Sequence, residues 1–298
     1  MKVLVTGANG FIGKHLVRRL QDHHEVFAVV RSHSDQDTRE NVSWIEQDLA
    51  QPLNHSQLPP RVDVIIHLAQ SSFYKDFPDR ASDIYSVNIA STFELLEYAR
   101  RAEASRFVFA STGGIYGYGR EPFVETDPIK LLGFYFSSKY VAELMVKDYQ
   151  QCFDTTILRL FFVYGAGQTP SMLIPRLIRS ILTGDPITLN GNQGIRINPI
   201  YVKDAVNAIE AAVGLEGNHL INVAGAEVLS LREIGQAMGE QLNREPRFEY
   251  TERESGDAVA DISRMVESLG SPHVPFREGL AEVCKEIEAR ELTGEKIK

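Results

Sequence analysis

The chain is 298 residues long, 43% apolar and 24% charged, with a formal net charge of -9. That acidic balance argues against a nucleic-acid partner, which would call for basic clustering, and no apolar run approaches the ~18 residues a bilayer span requires. Met1-Lys2 leads straight into an apolar stretch and not a signal peptide, so the expectation is a cytoplasmic globular protein of one large or two unequal domains, with no membrane partner. Cys152 and Cys284 lie far apart, with no Cys-x-x-Cys and no neighbouring His pair, and are expected to be buried thiols that form neither a disulfide nor a metal site.

In chain order, Val3-Leu4-Val5 is an apolar run ending in glycine, and Phe11, Ile12, Leu16, Val17 and Leu20 then recur at helical spacing: strand, tight turn, helix. Gly7, Gly10 and Gly13 stand at three-residue steps. Glycines there let the backbone turn sharply, approach a phosphate and pack helix against strand, while the helix aims its positive end at the same group. A glycine triplet alone is a weak signal, and its strand-helix setting gives it weight.

Glu25 to Arg31 reads as a second strand. A site that prefers NAD places an acid about 20 residues past the glycines to hold the ribose; this sequence has Val30-Arg31, and an arginine there suits a 2′-phosphate and points to NADP. Asp35 and Asp37 follow closely and leave NAD open. Val42 to Leu49 is a third strand, with Asp48 and Leu49 placed to flank an adenine. Val62 to Ala69 is a central strand ending in Leu68, Ala69 and Gln70, and its His67 is expected to be structural. Tyr85 to Arg101, with Asn88 inside it, reads as a helix, and Arg106 to Thr112 as a strand running into Gly113-Gly114. This alternation predicts an α/β fold with a doubly wound parallel sheet and ligands at the carboxyl ends of its strands.

Tyr135 and Lys139 open the next helix on one face. A phenol titrates near pH 10, and an adjacent ammonium favours phenolate, so the pair is a candidate acid/base. Beyond Gly165 the chain turns rich in Gly and Pro, with an amphipathic helix over Ser171 to Thr183 and short strands between Ile187 and Ile200. The expected division is a dinucleotide-binding domain over 1–165 and a smaller substrate-binding region over 166–298, with about 195–225 returning to the sheet.

Together these residues resemble an extended short-chain dehydrogenase/reductase of the nucleotide-sugar epimerase/dehydratase branch. The resemblance runs from Thr6 to Gly13 through Asp63 to Ala69, Asn88, Ser111 to Gly117, Tyr135 with Lys139, Arg159 to Gln168, Pro199 to Ala205, Gly256-Asp257 and Asp261 to Arg264. It implies that Gly7, Asn9, Gly10, Phe11, Ile12 and Gly13 hold the dinucleotide, with Arg31, Asp48, Leu49, Leu68 and Ala69 around it. It further implies that Thr112 binds the reacting sugar oxygen, that Tyr135 is the acid/base, and that Lys139 holds the nicotinamide ribose while lowering the tyrosine pKa. Hydride then passes at the sugar C4. Gln70, Thr112, Phe162, Arg196 and Arg253 are the substrate candidates, with Arg176 a weaker one, and no metal is expected.

Family dehydratases carry acids just after the catalytic Thr, where this chain has Gly113 and Gly114, so dehydration is disfavoured. Phe162 stands where an Asn often contacts the sugar diphosphate. The leading expectation is NADP-linked reduction of a 4-keto nucleotide sugar. The alternative is a nucleotide-sugar C4 epimerase with tightly bound NAD, and a third reading is a silent dinucleotide sensor. A homodimer is left open.

Overall fold

The computed structural model describes residues 1–32, 41–253 and 256–292. Its main sheet has seven strands: β1 (Lys2–Thr6), β2 (Glu25–Val30), β3 (Val42–Glu46), β4 (Val64–His67), β5 (Arg106–Thr112), β6 (Asp154–Leu160) and β11 (His219–Val223). The order is β11-β6-β5-β4-β1-β2-β3, and the pairs β3-β2, β2-β1, β1-β4 and β4-β5 run parallel. Val3, Leu4 and Val5 pair with strands on both sides and are buried, which is why these segments are continuous apolar runs without alternation. The strand order reverses between β1 and β4, and Thr6 and His67 stand at that crevice.

Helices α1 (Phe11–Leu20), α2 (Ala81–Tyr85), α3 (Ser91–Arg101) and α4 (Phe134–Asp148) follow the pattern of buried residues. α2 and α3 are joined through one π-helical turn, Ser86–Ala90, where sequence periodicity predicts a single uninterrupted helix. Leu4, Ile65, Leu95, Leu96, Phe107, Phe109, Ala142 and Ile157 belong to one buried core that packs sheet against α3 and α4.

The chain forms two compact units: residues 1–115, 128–159 and 206–221 in the first, and 116–127, 160–205 and 222–298 in the second. The second unit contains β7 (Val163–Tyr164) beside β10 (Ile200–Tyr201), β8 (Ile187–Asn190) beside β13 (Phe248–Thr251), and β9 (Arg196–Ile197) beside β12 (Leu229–Ser230). Its helices are α5 (Leu173–Thr183), α7 (Leu231–Leu242), α8 (Ser263–Ser268) and α9 (Phe276–Leu292), while α6 (Val202–Val213) runs from it into the first unit. α7 opens with a capping box between Ser230 and Glu233, and α5 ends at Gly184 with φ +77°.

Cys284 is buried as expected, but Cys152 is exposed, because it follows the short turn that ends α4 and is not part of the sheet. Both are free thiols. Among the described residues no helix is long and apolar enough to cross a membrane, and no three His, Cys, Asp or Glu side chains are grouped to hold a metal ion.

Candidate active site

The glycine turn is built by close approach. At Gly7, φ is +67° and a Cβ would meet the Ala69 backbone nitrogen at 2.9 Å; at Gly13 it would meet the Gly7 carbonyl oxygen at 2.1 Å. Gly10 caps α1 with extended backbone and no side-chain hydrogen bond, so no N-cap side chain satisfies the N–H groups of the first helical turn. Asn9 donates to the Ser32 carbonyl at 3.2 Å and ties the loop to the end of β2. Phe11 and Ile12 are half-buried, and Arg31 is exposed directly after β2. Asp35 and Asp37 lie outside the described residues. Asp48 is exposed and closes a turn onto the Ala50 N–H, Leu49 is buried, and Leu68 and Ala69 are half-buried at the end of β4.

A buried polar chain runs from this loop to α4. Thr6 Oγ1 lies 2.7 Å from His67 Nδ1, and His67 Nε2 lies 3.0 Å from Thr92 Oγ1, which donates to the Asn88 carbonyl at 2.8 Å. That direction assigns the proton to Nε2 of a neutral imidazole. Burial supports this, pushing His67 down to about 3, with Lys139 acting the same way. Asn88, inside the π-helical turn, accepts from the Ser71 N–H at 2.8 Å and donates to Ser138 Oγ at 2.9 Å; Ser138 donates in turn to the Tyr135 carbonyl at 2.7 Å. His67 is therefore a structural link, as the sequence suggests.

Tyr135 and Lys139 lie one turn apart on α4. The Tyr135 hydroxyl donates to Gln70 Oε1 at 2.8 Å and is hydrogen-bonded with Thr112. Burial, then neighbouring Tyr74, pushes the phenol well above its ordinary value, against the Thr112 contact. The chain alone thus drives Tyr135 away from phenolate, opposite to the shift an acid/base requires. Lys139 is 2% exposed, its Nζ 4.4 Å from the Phe109 ring centroid, and among the described residues it has no hydrogen bond or ion pair. Burial pushes it down to about 7, with Glu143 acting upward. A buried ammonium with unused donors is a socket for polar oxygens, and with the glycine cradle it makes this unit fit a dinucleotide.

Glu143 escapes sequence reasoning, and with it the buried cluster it forms with Arg159 and Ser111. Glu143, one turn beyond Lys139, accepts from Arg159 Nε at 3.1 Å and from the second guanidinium edge at 2.7 Å, and also from Ser111 Oγ at 2.5 Å. Glu143 and Arg159 are almost wholly buried. The signal was present: an arginine inside the apolar strand Ile157 to Leu160 demands a buried acid.

The substrate candidates sort differently. Gln70 and Thr112 meet at Tyr135. Gly114 has a physical reason to be glycine, since a Cβ there would lie 2.2 Å from the Phe136 ring. In the second unit, Phe162 is a third exposed, with φ +41°, and Arg196 is held by Asp257, donating from Nε at 2.8 Å and from its terminal nitrogen at 2.6 Å. The latter guanidinium thus already has an internal anionic partner. Arg253 and Arg176 are exposed.

Comparison with known proteins adds three findings. Residues 3–224 match the model of the NAD dependent epimerase/dehydratase family. An uncharacterized UDP-glucose epimerase of Bacillus subtilis, YtcB, is 30% identical over 94% of this chain and 96% of its own, and UDP-glucuronic acid decarboxylase 3 of Arabidopsis thaliana is 28% identical over 94% and 87%. Among solved structures, UDP-glucuronic acid 4-epimerase from Bacillus cereus in complex with UDP-glucuronic acid and NAD superposes with a TM-score of 0.84 at 27% identity, covering 97% of this chain and 99% of that one.

Proposed function

Because the chain belongs to the NAD-dependent epimerase/dehydratase family, we propose that it inverts C4 of a UDP-linked hexose or hexuronic acid and keeps NAD through the cycle. The observation that carries this is the grouping of Thr112, Tyr135 and Lys139 at the end of β5 and the start of α4, with Gly113-Gly114 where dehydration needs acids. Bound NAD supplies the hydride acceptor and a cationic ring. Tyr135 takes the proton of the C4 hydroxyl and returns it, while Thr112 donates a hydrogen bond to the same oxygen. Lys139 holds ribose oxygens, and the Thr112 hydrogen bond together with the cationic ring of bound NAD draws the phenol down against the burial that raises it. Gly7 to Gly13 hold the pyrophosphate, and Asp48 and Leu49 border the adenine.

Reduction of a 4-keto sugar by NADPH, to which Arg31 points, has less support. The Bacillus cereus neighbour holds NAD, and the relatives carry epimerase and decarboxylase names. Decarboxylation is the second reading, favoured by the Arabidopsis relative. The test is incubation with NAD and either UDP-glucose or UDP-glucuronic acid, followed by separation of products. A C4 epimer is the expected result. Carbon dioxide with a UDP-pentose would replace it by decarboxylation, and NAD binding without turnover of either sugar would reject both.

A further inference from the structure

Resting on that role for Lys139, we propose that Arg159 is a positioning residue that keeps Lys139 available to the cofactor by occupying the carboxylate beneath it. Lys139 and Glu143 are buried neighbours one turn apart on α4, the spacing at which an ammonium and a carboxylate pair on a helix. In a buried setting that pairing is strongly favoured over leaving both charges apart. Yet the ammonium lies over Phe109 and not on Glu143. The cause is on β6 and β5: Arg159 takes both oxygens of Glu143 with its fork, and Ser111 takes a further lone pair on Oε1. Glu143 is close enough to favour a charged Lys139, but both of its oxygens are already engaged.

The ionisable groups around Lys139 are few. Tyr135 and Glu143 stand on α4, His67 on β4 is neutral, and Arg159 on β6 faces Glu143. A lysine at 159 would present a point donor in place of a fork and leave one oxygen of Glu143 open to Lys139.

The experiment titrates NAD into the wild type, Arg159→Lys, Arg159→Met, Glu143→Leu/Arg159→Met and Lys139→Met, and follows Lys139 titration by NMR of labelled lysine side chains. Loss of the fork should weaken NAD by about tenfold or more, as the loss of charge-assisted hydrogen bonds would. It should raise the Lys139 titration as the new ion pair forms. The double variant removes the competing carboxylate, so the Lys139 titration should fall below the wild-type value, and NAD affinity, measured at a pH below that titration where the ammonium is charged, should recover. Arg159→Lys retains the buried positive charge and covers the case in which Arg159→Met does not fold. The proposal is overturned if the double variant binds NAD no better than Arg159→Met, or if Arg159→Lys leaves the Lys139 titration unmoved. If Lys139→Met binds NAD as tightly as the wild type, the role assigned to Lys139 fails first and the proposal falls with it.

Discussion

Each unit contains an arginine forked onto a carboxylate, Arg159 onto Glu143 in the first and Arg196 onto Asp257 in the second, and these two pairs live in different surroundings. Arg159 and Glu143 are 2% and 0% exposed in side chain, whereas Arg196 and Asp257 are 54% and 15% exposed. Water screens the second pair and solvates its members if they part; the first has no such refuge. The chemistry is the same, and the environment decides its worth. The first unit buries the chain of Thr6, His67, Thr92, Asn88 and Ser138 and the cluster of Ser111, Glu143 and Arg159. In the second, the Arg196 side of its pair is exposed, and its loss should cost little.

Predictions that would sharpen or break this contrast run from large to small. Tyr135→Phe should lower turnover by roughly two to four powers of ten with cofactor affinity little changed; near-normal turnover would remove Tyr135 from the chemistry. Glu143→Gln leaves the Arg159 charge uncompensated and should destabilise the fold by about 3–5 kcal/mol in urea unfolding. A loss below ~1 kcal/mol would mean that water reaches the pair. His67 has a folded-state pKa of about 3 against 6.5 when unfolded. The unfolded chain therefore binds the extra proton between those values, and stability should fall as pH drops from about 6.5 toward 3, by at most ~1.4 kcal/mol per pH unit. His67→Gln lacks that contribution; equal slopes for variant and wild type between pH 7 and 5 would reject it.

In the second unit the effects shrink. Phe162 holds φ +41°, a backbone region costly for a large side chain and tolerated by asparagine. Phe162→Asn should raise stability by about 1 kcal/mol, and a lower unfolding midpoint would show that ring packing outweighs the backbone. Arg196→Ala should cost less than about 1 kcal/mol. A loss comparable to that of Glu143→Gln would erase the distinction between the two pairs.

Much of the first unit was legible in the sequence because its signals are local. The runs Val3 to Val5 and Arg106 to Thr112, the glycine steps and the four-residue spacing of Tyr135 and Lys139 each occupy a single element. What escaped depends on partners far apart in the chain. Glu143 reads as an ordinary polar position of a helix until Arg159 meets it from β6. The π-helical turn at Ser86–Ala90 breaks no sequence rule, since Asn88 earns its place through Ser71 and Ser138. Phe162 keeps the left-handed backbone that suits the asparagine expected there, a constraint no propensity for phenylalanine could reveal.

The contact between Gly114 and Phe136 bears on how this site could change by descent or by design. A side chain at 114 would begin 2.2 Å from an edge atom of the Phe136 ring, so the acid that dehydration calls for can arrive only with a shift of that ring. A smaller residue at 136 would make that room, opening a void beside Tyr135 and bringing no new chemistry of its own. The two positions are epistatic. A library that varies 114 together with 136 explores the step between neighbouring chemistries of the family more fully than one that varies 114 alone.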